Sequence, residues 1–166
     1  MTAEEIICLF GLEPLLVEGG YFRETWRGTD IIPSGALPSR YRGERSSGTA
    51  IYYLVTPESF SLMHRIASDE VFHFYCGDPV LMVRLFEHGA GDTVILGTDL
   101  VSGQRPQCVV PYGTWQGMSL VEGGSWALLG TTVAPGYSPR DFETGAREVL
   151  IQSHPAFENH IVKLTR

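Results

Sequence analysis

The chain has 166 residues, 43% apolar and 19% charged, with 19 acidic against 12 basic side chains and a formal net charge of −7. A single globular domain spanning 1–166 is expected at this length, burying roughly 70% of its unfolded surface. The acidic balance argues against nucleic acid or anionic lipid as a partner, and no apolar run approaches the roughly 18 residues of a membrane span.

The N-terminus carries Glu4 and Glu5 in place of the basic stretch of a secretory signal. Cys8, Cys76 and Cys108 form no C-x-x-C pair, which disfavours a disulfide framework and fits a reducing cytoplasm. Thr2-Ala-Glu-Glu5 reads as a capping box opening a helix through Ile6, Ile7, Leu9 and Phe10, with Gly11 as its stop. Nine candidate strands follow, at 20–27, 49–55, 60–66, 70–76, 80–86, 92–97, 107–110, 115–121 and 125–134. The stretch 28–44 reads as a long loop, and loops of that length usually cover or shape a site. Ser153-His154-Pro155 reads as a cap with proline at the first helical position, opening one or two turns to about His160. Evenly spaced turns between short β-branched and aromatic runs predict an all-β sandwich or barrel, with helix confined to the ends. The runs Ile51–Val55, Val71–Tyr75 and Leu81–Phe86 are apolar on both faces. Their outer side therefore needs cover from another sheet, the terminal helices or a second subunit, and a homodimer is the economical expectation.

Polar residues that break this pattern mark a candidate pocket. In segment 60–66, Phe60, Leu62, His64 and Ile66 share the interior face, and Ser61, Met63 and Arg65 the other. Glu70 shares a face with Phe72 and Phe74, where a carboxylate must be paired, metal-bound or protonated. Gln116 lies with Met118 and Leu120, opposite Trp115. His73 has the wrong parity and reaches the interior only through a bulge. An interior Glu beside an imidazole makes an acid–base pair, so His64 and Glu70, with His73 behind them, are the candidate catalytic residues. Tyr75 or Tyr112 would supply a hydroxyl, Phe72 and Trp115 flat faces, and Gln116 an amide. Arg23, Arg65 or Arg84 would neutralise a phosphate or carboxylate. Tyr21, Arg23 and Glu24, beside Gly19-Gly20, and Asp141 complete the candidate binding residues. No phosphate-loop or Gly-x-Ser-x-Gly spacing is present.

These residues resemble a cupin. The first cupin motif, His-x-His, three or four residues, Glu, six residues, Gly, is matched in outline by Leu62-Met63-His64, Glu70 and Gly77. The second, Pro-x-Gly, two residues, His, is matched in frame by Pro111-Tyr-Gly113 and Gln116. The strings Glu18-Gly-Gly-Tyr-Phe-Arg-Glu-Thr25, His64-Arg-Ile-Ala-Ser-Asp-Glu70, Val110-Pro-Tyr-Gly-Thr-Trp-Gln116 and Val133-Ala-Pro-Gly136 resemble the small single-domain cupin-5 branch. The resemblance implies a double-stranded β-helix (jelly-roll barrel), commonly dimeric, with one pocket inside. It also implies a divalent metal ion, for which this chain retains His64 and Glu70, offers Gln116, and has Leu62 where a further His is usual. The function expected is a small-molecule-binding cupin, an isomerase- or epimerase-like enzyme acting on a sugar, sugar phosphate or related carbonyl compound. The alternatives are a metal-dependent oxygenase or decarboxylase and a non-catalytic carbohydrate binder.

Overall fold

Alternating apolar side chains between glycine- and proline-rich turns build two packed antiparallel sheets in the computed structural model, which describes residues 1–166. The strands are β1 (Glu13–Pro14), β2 (Tyr21–Arg27), β3 (Ile31–Ile32), β4 (Arg45–Ser46), β5 (Thr49–Val55), β6 (Ser61–Arg65), β7 (Asp69–Gly77), β8 (Val80–Leu85), β9 (Gly91–Leu96), β10 (Gln107–Val110), β11 (Trp115–Leu120), β12 (Ala127–Ala134) and β13 (Glu143–Thr144). One sheet has the order β1-β2-β5-β12-β7-β10 and the other β13-β6-β11-β8-β9, while β3 and β4 pair separately. This is the all-β jelly roll anticipated from the sequence. Tyr53, Phe72, Met82, Leu96, Met118 and Leu129 fill the space between the sheets.

The outer faces of β5 and β8 are covered within the chain, whereas on β7 Tyr75 stays 48% exposed. Helix α1 (Ala3–Phe10) places Ile6 against Leu54 and Leu128 on the outer face of the first sheet. Helices α2 (Arg147–Ser153) and α3 (Glu158–Lys163) place Leu150 and Ile161 against Met63, Val83 and Leu85 on the outer face of the second. Each such fully buried aliphatic side chain contributes roughly 2 kcal/mol. The Thr2/Glu5 capping box is formed, and Gly11 closes α1 at φ 60°. No helix is long and apolar enough to cross a membrane.

Two local departures from the sequence reading matter. Helix α2 lies before the expected C-terminal helix, and Ser153 ends it instead of capping the next turn, donating to the Val149 carbonyl at 2.9 Å. The second departure is a register shift in β6. His64 pairs with Gln116 but Ser61 pairs with Met118, so strict alternation fails between them and the Ser61 hydroxyl turns toward the interior. A similar shift in β2 leaves Thr25 as the extra residue, so Glu24 and Arg27 face the same side, opposite Ile51 and Thr49.

Candidate functional site

A cavity of about 480 Å³ opens between the sheets, walled by Leu15, Val17, Phe22, Ile51, Val133 and Phe142. Its carboxylates are Glu18, Glu24 and Glu70. Glu70 stands at the start of β7, on the first sheet; His64 and Gln116 come from directly paired positions on the second. Glu18 comes from the turn before β2, which Gly19 and Gly20 make at φ 97° and 74°. A Cβ on Gly19 would lie 2.1 Å from the Phe60 carbonyl oxygen, and one on Gly20 2.7 Å from the Tyr53 ring. Only glycine therefore permits the turn that aims Glu18 inward. The Tyr53 hydroxyl donates to the Gly19 carbonyl at 2.9 Å and fixes it.

The polar groups interlock. His64 is 2% exposed, and its Nδ1 donates to the Leu62 carbonyl at 2.8 Å. That bond turns Nε2 toward the carboxylates, 3.8 Å from Glu18 Oε2 and 3.9 Å from Glu70 Oε2. The Gln116 amide nitrogen donates to Glu70 and lies 3.4 Å from His64 Nε2. Ser61 Oγ donates to Glu18 Oε1 at 3.0 Å. Phe142 stacks on the imidazole with ring centres 5.1 Å apart, walling His64 off from the cavity. Burial raises the Glu70 carboxyl to about 7; the Glu18 charge adds to the rise, while His64 and the Gln116 amide oppose it. Burial, with the charges of Glu18, Glu70 and Asp141, pushes the Tyr137 phenol on the cavity wall up to about 12, so it is a proton donor at neutral pH. One end of the cavity thus holds a carboxyl group poised near neutrality and a protonated phenol, and the remaining walls are mostly apolar.

The comparisons with known proteins agree with this architecture. The family model Cupin_5, described as Cupin superfamily (DUF985), matches residues 4–145. The chain belongs to this cupin family. It is 28% identical over 134 residues to "Uncharacterized protein YML079W" of Saccharomyces cerevisiae, covering 76% of this chain and 65% of that protein, so the match spans less than two thirds of the relative. Among solved structures, a hypothetical protein from Leishmania major superposes with TM-score 0.88 at 29% identity, covering 99% of each chain. Protein SO0799 from Shewanella oneidensis superposes with TM-score 0.87 at 30% identity, covering 100% of this chain and 98% of its own. Bacillus subtilis oxalate decarboxylase, a protein with Mn(II) centres, shares the fold alone, with TM-score 0.53 at 16% identity, over 93% of this chain and 38% of that one.

The cupin fold raises the question of a metal, and the residues do not fit one. The candidate set contains a single imidazole. Gln116 places a neutral carboxamide beside Glu70 and His64, where the usual cupin set has an imidazole, and leaves its buried Oε1 without a hydrogen-bond partner. His64, Glu18 and Glu70 do converge, yet with a single imidazole they form no group able to hold an ion.

The remaining candidates scatter. His73 lies on the outer face of β7, between Thr132 Oγ1 at 3.2 Å and the Gln107 amide at 3.3 Å; the bulge that would bring it inward does not occur there. The register shift of β7 against β12 falls instead at Tyr75, which is 48% exposed and packs edge-on against Tyr52. Tyr21 packs beneath α1, and Arg23 donates to the Phe10 carbonyl at 3.0 Å. Phe72 is core. Trp115 faces the C-terminal helices under the Arg65 guanidinium. Tyr112 is on the surface beneath Arg40, and Asp141 is consumed by a buried ion pair with Arg45. Glu24 does line the cavity, held by Arg27 at its more exposed end. Glu18, Arg27, Tyr137 and Phe142 were not among the sequence candidates. Of these only Glu18 carried a signal, the Gly-Gly that follows it.

Proposed function

We propose that this cavity is an acid–base site acting on a small carbonyl compound, with isomerase- or epimerase-like chemistry. The observation that carries the reading is Glu70, a cavity-wall carboxyl group raised to about 7 and backed by an imidazole and an amide. In its ionised form Glu70 takes a proton from the carbon next to the carbonyl. Tyr137 donates a hydrogen bond to the oxygen as negative charge develops there. Glu70 then returns the proton to the other face of the same carbon after the planar enolate turns over. In an α-hydroxy carbonyl compound it returns the proton instead to the former carbonyl carbon, while the hydroxyl proton passes from one oxygen to the other. Either way nothing is consumed and no net redox change occurs. His64 and Gln116 act from behind, holding the carboxylate in place.

The walls narrow the substrate. Leu15, Val17, Phe22, Ile51 and Val133 offer no hydrogen bonds, so a polyhydroxylated sugar would leave hydroxyl groups without partners there. A carbonyl compound with a largely apolar body fits better than the sugar suggested by resemblance.

The test follows exchange of the carbon-bound proton by NMR in D₂O, using a panel of short-chain and aryl ketones and aldehydes. Wild-type protein is expected to catalyse deuterium incorporation next to the carbonyl. Glu70→Gln should lower that rate by roughly two or more orders of magnitude while remaining folded. Exchange that is absent across the panel, or equal in the Glu70→Gln variant, overturns the reading.

A further inference from the structure

Four of the acidic chain's arginines gather around one cleft. Beyond Phe142, which lines both hollows, a cleft of about 450 Å³ is bordered by Arg40, Arg42, Arg65 and Arg140. The segment 28–44, expected to be a loop throughout but carrying the short β3, delivers two of them. Its Tyr41 is buried, with the hydroxyl 3.1 Å from Ser68 Oγ, so the flanking Arg40 and Arg42 are turned outward. Arg140 arrives from the turn that follows Tyr137.

What distinguishes this cleft is which charges are already taken. Its two carboxylates are engaged: Asp141 by the buried Arg45, and Glu143 by Arg65 in a two-bond fork of 2.8 and 2.9 Å. Arg40, Arg42 and Arg140 have no carboxylate partner. Arg40 is nonetheless positioned, its Nε donating to the Ala67 carbonyl at 2.9 Å and its guanidinium lying 4.0 Å over the Tyr112 ring. The arginines expected from sequence to meet an anion are already engaged: Arg23 by the Phe10 carbonyl, Arg84 by Asp92 and, within this cleft, Arg65 by Glu143.

We propose that this cleft binds the phosphate group of a small phosphorylated compound, gripped by Arg40, Arg42 and Arg140. Guanidinium groups present forked donors matched to oxyanions. A carboxylate uses one fork, whereas a phosphate monoester has three terminal oxygens and a charge near −2 to share among three guanidiniums. The site lies outside the cavity, is independent of the proton chemistry proposed for Glu70, and gives the segment 28–44 a role.

Isothermal titration at constant ionic strength tests it, with inorganic phosphate and phenyl phosphate as probes and sulfate and benzoate as controls. Saturable binding of both phosphate probes is expected, with sulfate and benzoate weaker. Arg42→Ala and Arg140→Ala, both at exposed positions, should each weaken it roughly tenfold or more. Arg42→Lys should recover only part of the loss, and Arg105→Ala, an exposed arginine on another loop, should change nothing. Binding of phenyl phosphate without inorganic phosphate would place recognition in the ring and overturn the assignment. So would no binding, losses equal to that of Arg105→Ala, or a single-stranded oligonucleotide binding more tightly in proportion to its length. The readout is binding alone, so failure here leaves the Glu70 exchange experiment untouched, and failure there leaves this one untouched.

Discussion

Glu18 Oε2 sits 3.8 Å from His64 Nε2, as near to the imidazole as Glu70 Oε2 at 3.9 Å. The imidazole therefore faces two carboxylates brought from different parts of the chain, one on a strand of the opposite sheet and one in a glycine turn. Since Nδ1 is committed to the Leu62 carbonyl, both carboxylates address the same ring nitrogen. The Glu18 charge raises the Glu70 carboxyl, whereas His64 lowers it. Glu18→Gln should accordingly move the Glu70 titration midpoint down from about 7. A ¹³C-carboxyl NMR titration reads this directly. An unchanged or higher midpoint would mean the two carboxylates are not coupled.

The same shift sets a pH dependence of stability. The folded protein holds the Glu70 proton up to about 7, while an unfolded chain releases it near 4.5. Between those values the native state binds more protons than the unfolded state. The Glu70 contribution is therefore most favourable below about 4.5 and is lost as pH rises to about 7. The integrated effect is on the order of 3 kcal/mol. Urea denaturation of wild type and Glu70→Gln across this range should show wild type losing stability relative to the variant as pH increases. A constant difference would remove the basis for a buried, protonated Glu70.

The glycine turn that presents Glu18 should be intolerant of any side chain. At Gly20, a Cβ meets the buried Tyr53 ring and φ is 74°, so contact and backbone conformation oppose substitution together. Gly20→Ala should cost about 2 kcal/mol or more in chemical denaturation. Gly123→Ala serves as the reference, because its φ of 87° is also left-handed but nothing lies within 4 Å of the added carbon. A Gly20 cost no larger than the Gly123 cost would show that the Tyr53 contact does not matter.

The sheets were legible because their information is local. Alternation and turn residues place all nine longer strands within two residues of their ends, and the Thr2/Glu5 box places α1. Helix α2 was hidden: Ala146 makes no side-chain cap, only Leu150 is buried, and the capping pattern at Ser153-His154-Pro155 drew the helix start beyond it. The two-residue strands are too short to show a period. For the site, parity brings His64, Glu70 and Gln116 together because each stands on a regular stretch of strand. It fails at Ser61 and Arg27, where a register shift intervenes, and it says nothing of Tyr137 and Phe142, which reach the cavity from the segment between β12 and β13. Side chains carried by irregular backbone have no period to read.

The mismatch between this cluster and the usual cupin metal set can be probed by restoring a ligand. Gln116 is the residue to change, since its amide nitrogen already lies 3.4 Å from His64 Nε2 and donates to Glu70. A neutral amide is a weak ligand for a divalent transition metal, whereas an imidazole offers a basic lone pair. Gln116→His would place two imidazoles and the Glu70 carboxylate together, a donor set suited to first-row divalent ions. After dialysis against equimolar Mn²⁺, Co²⁺, Ni²⁺ and Zn²⁺, elemental analysis should find well under one equivalent of metal in wild type. The variant should hold markedly more, and Gln116→His combined with His64→Ala should lose the gain. Wild-type protein carrying a full equivalent that disappears in His64→Ala would show that the native donors suffice, and the proton chemistry assigned to Glu70 would then have to be rebuilt around a bound cation.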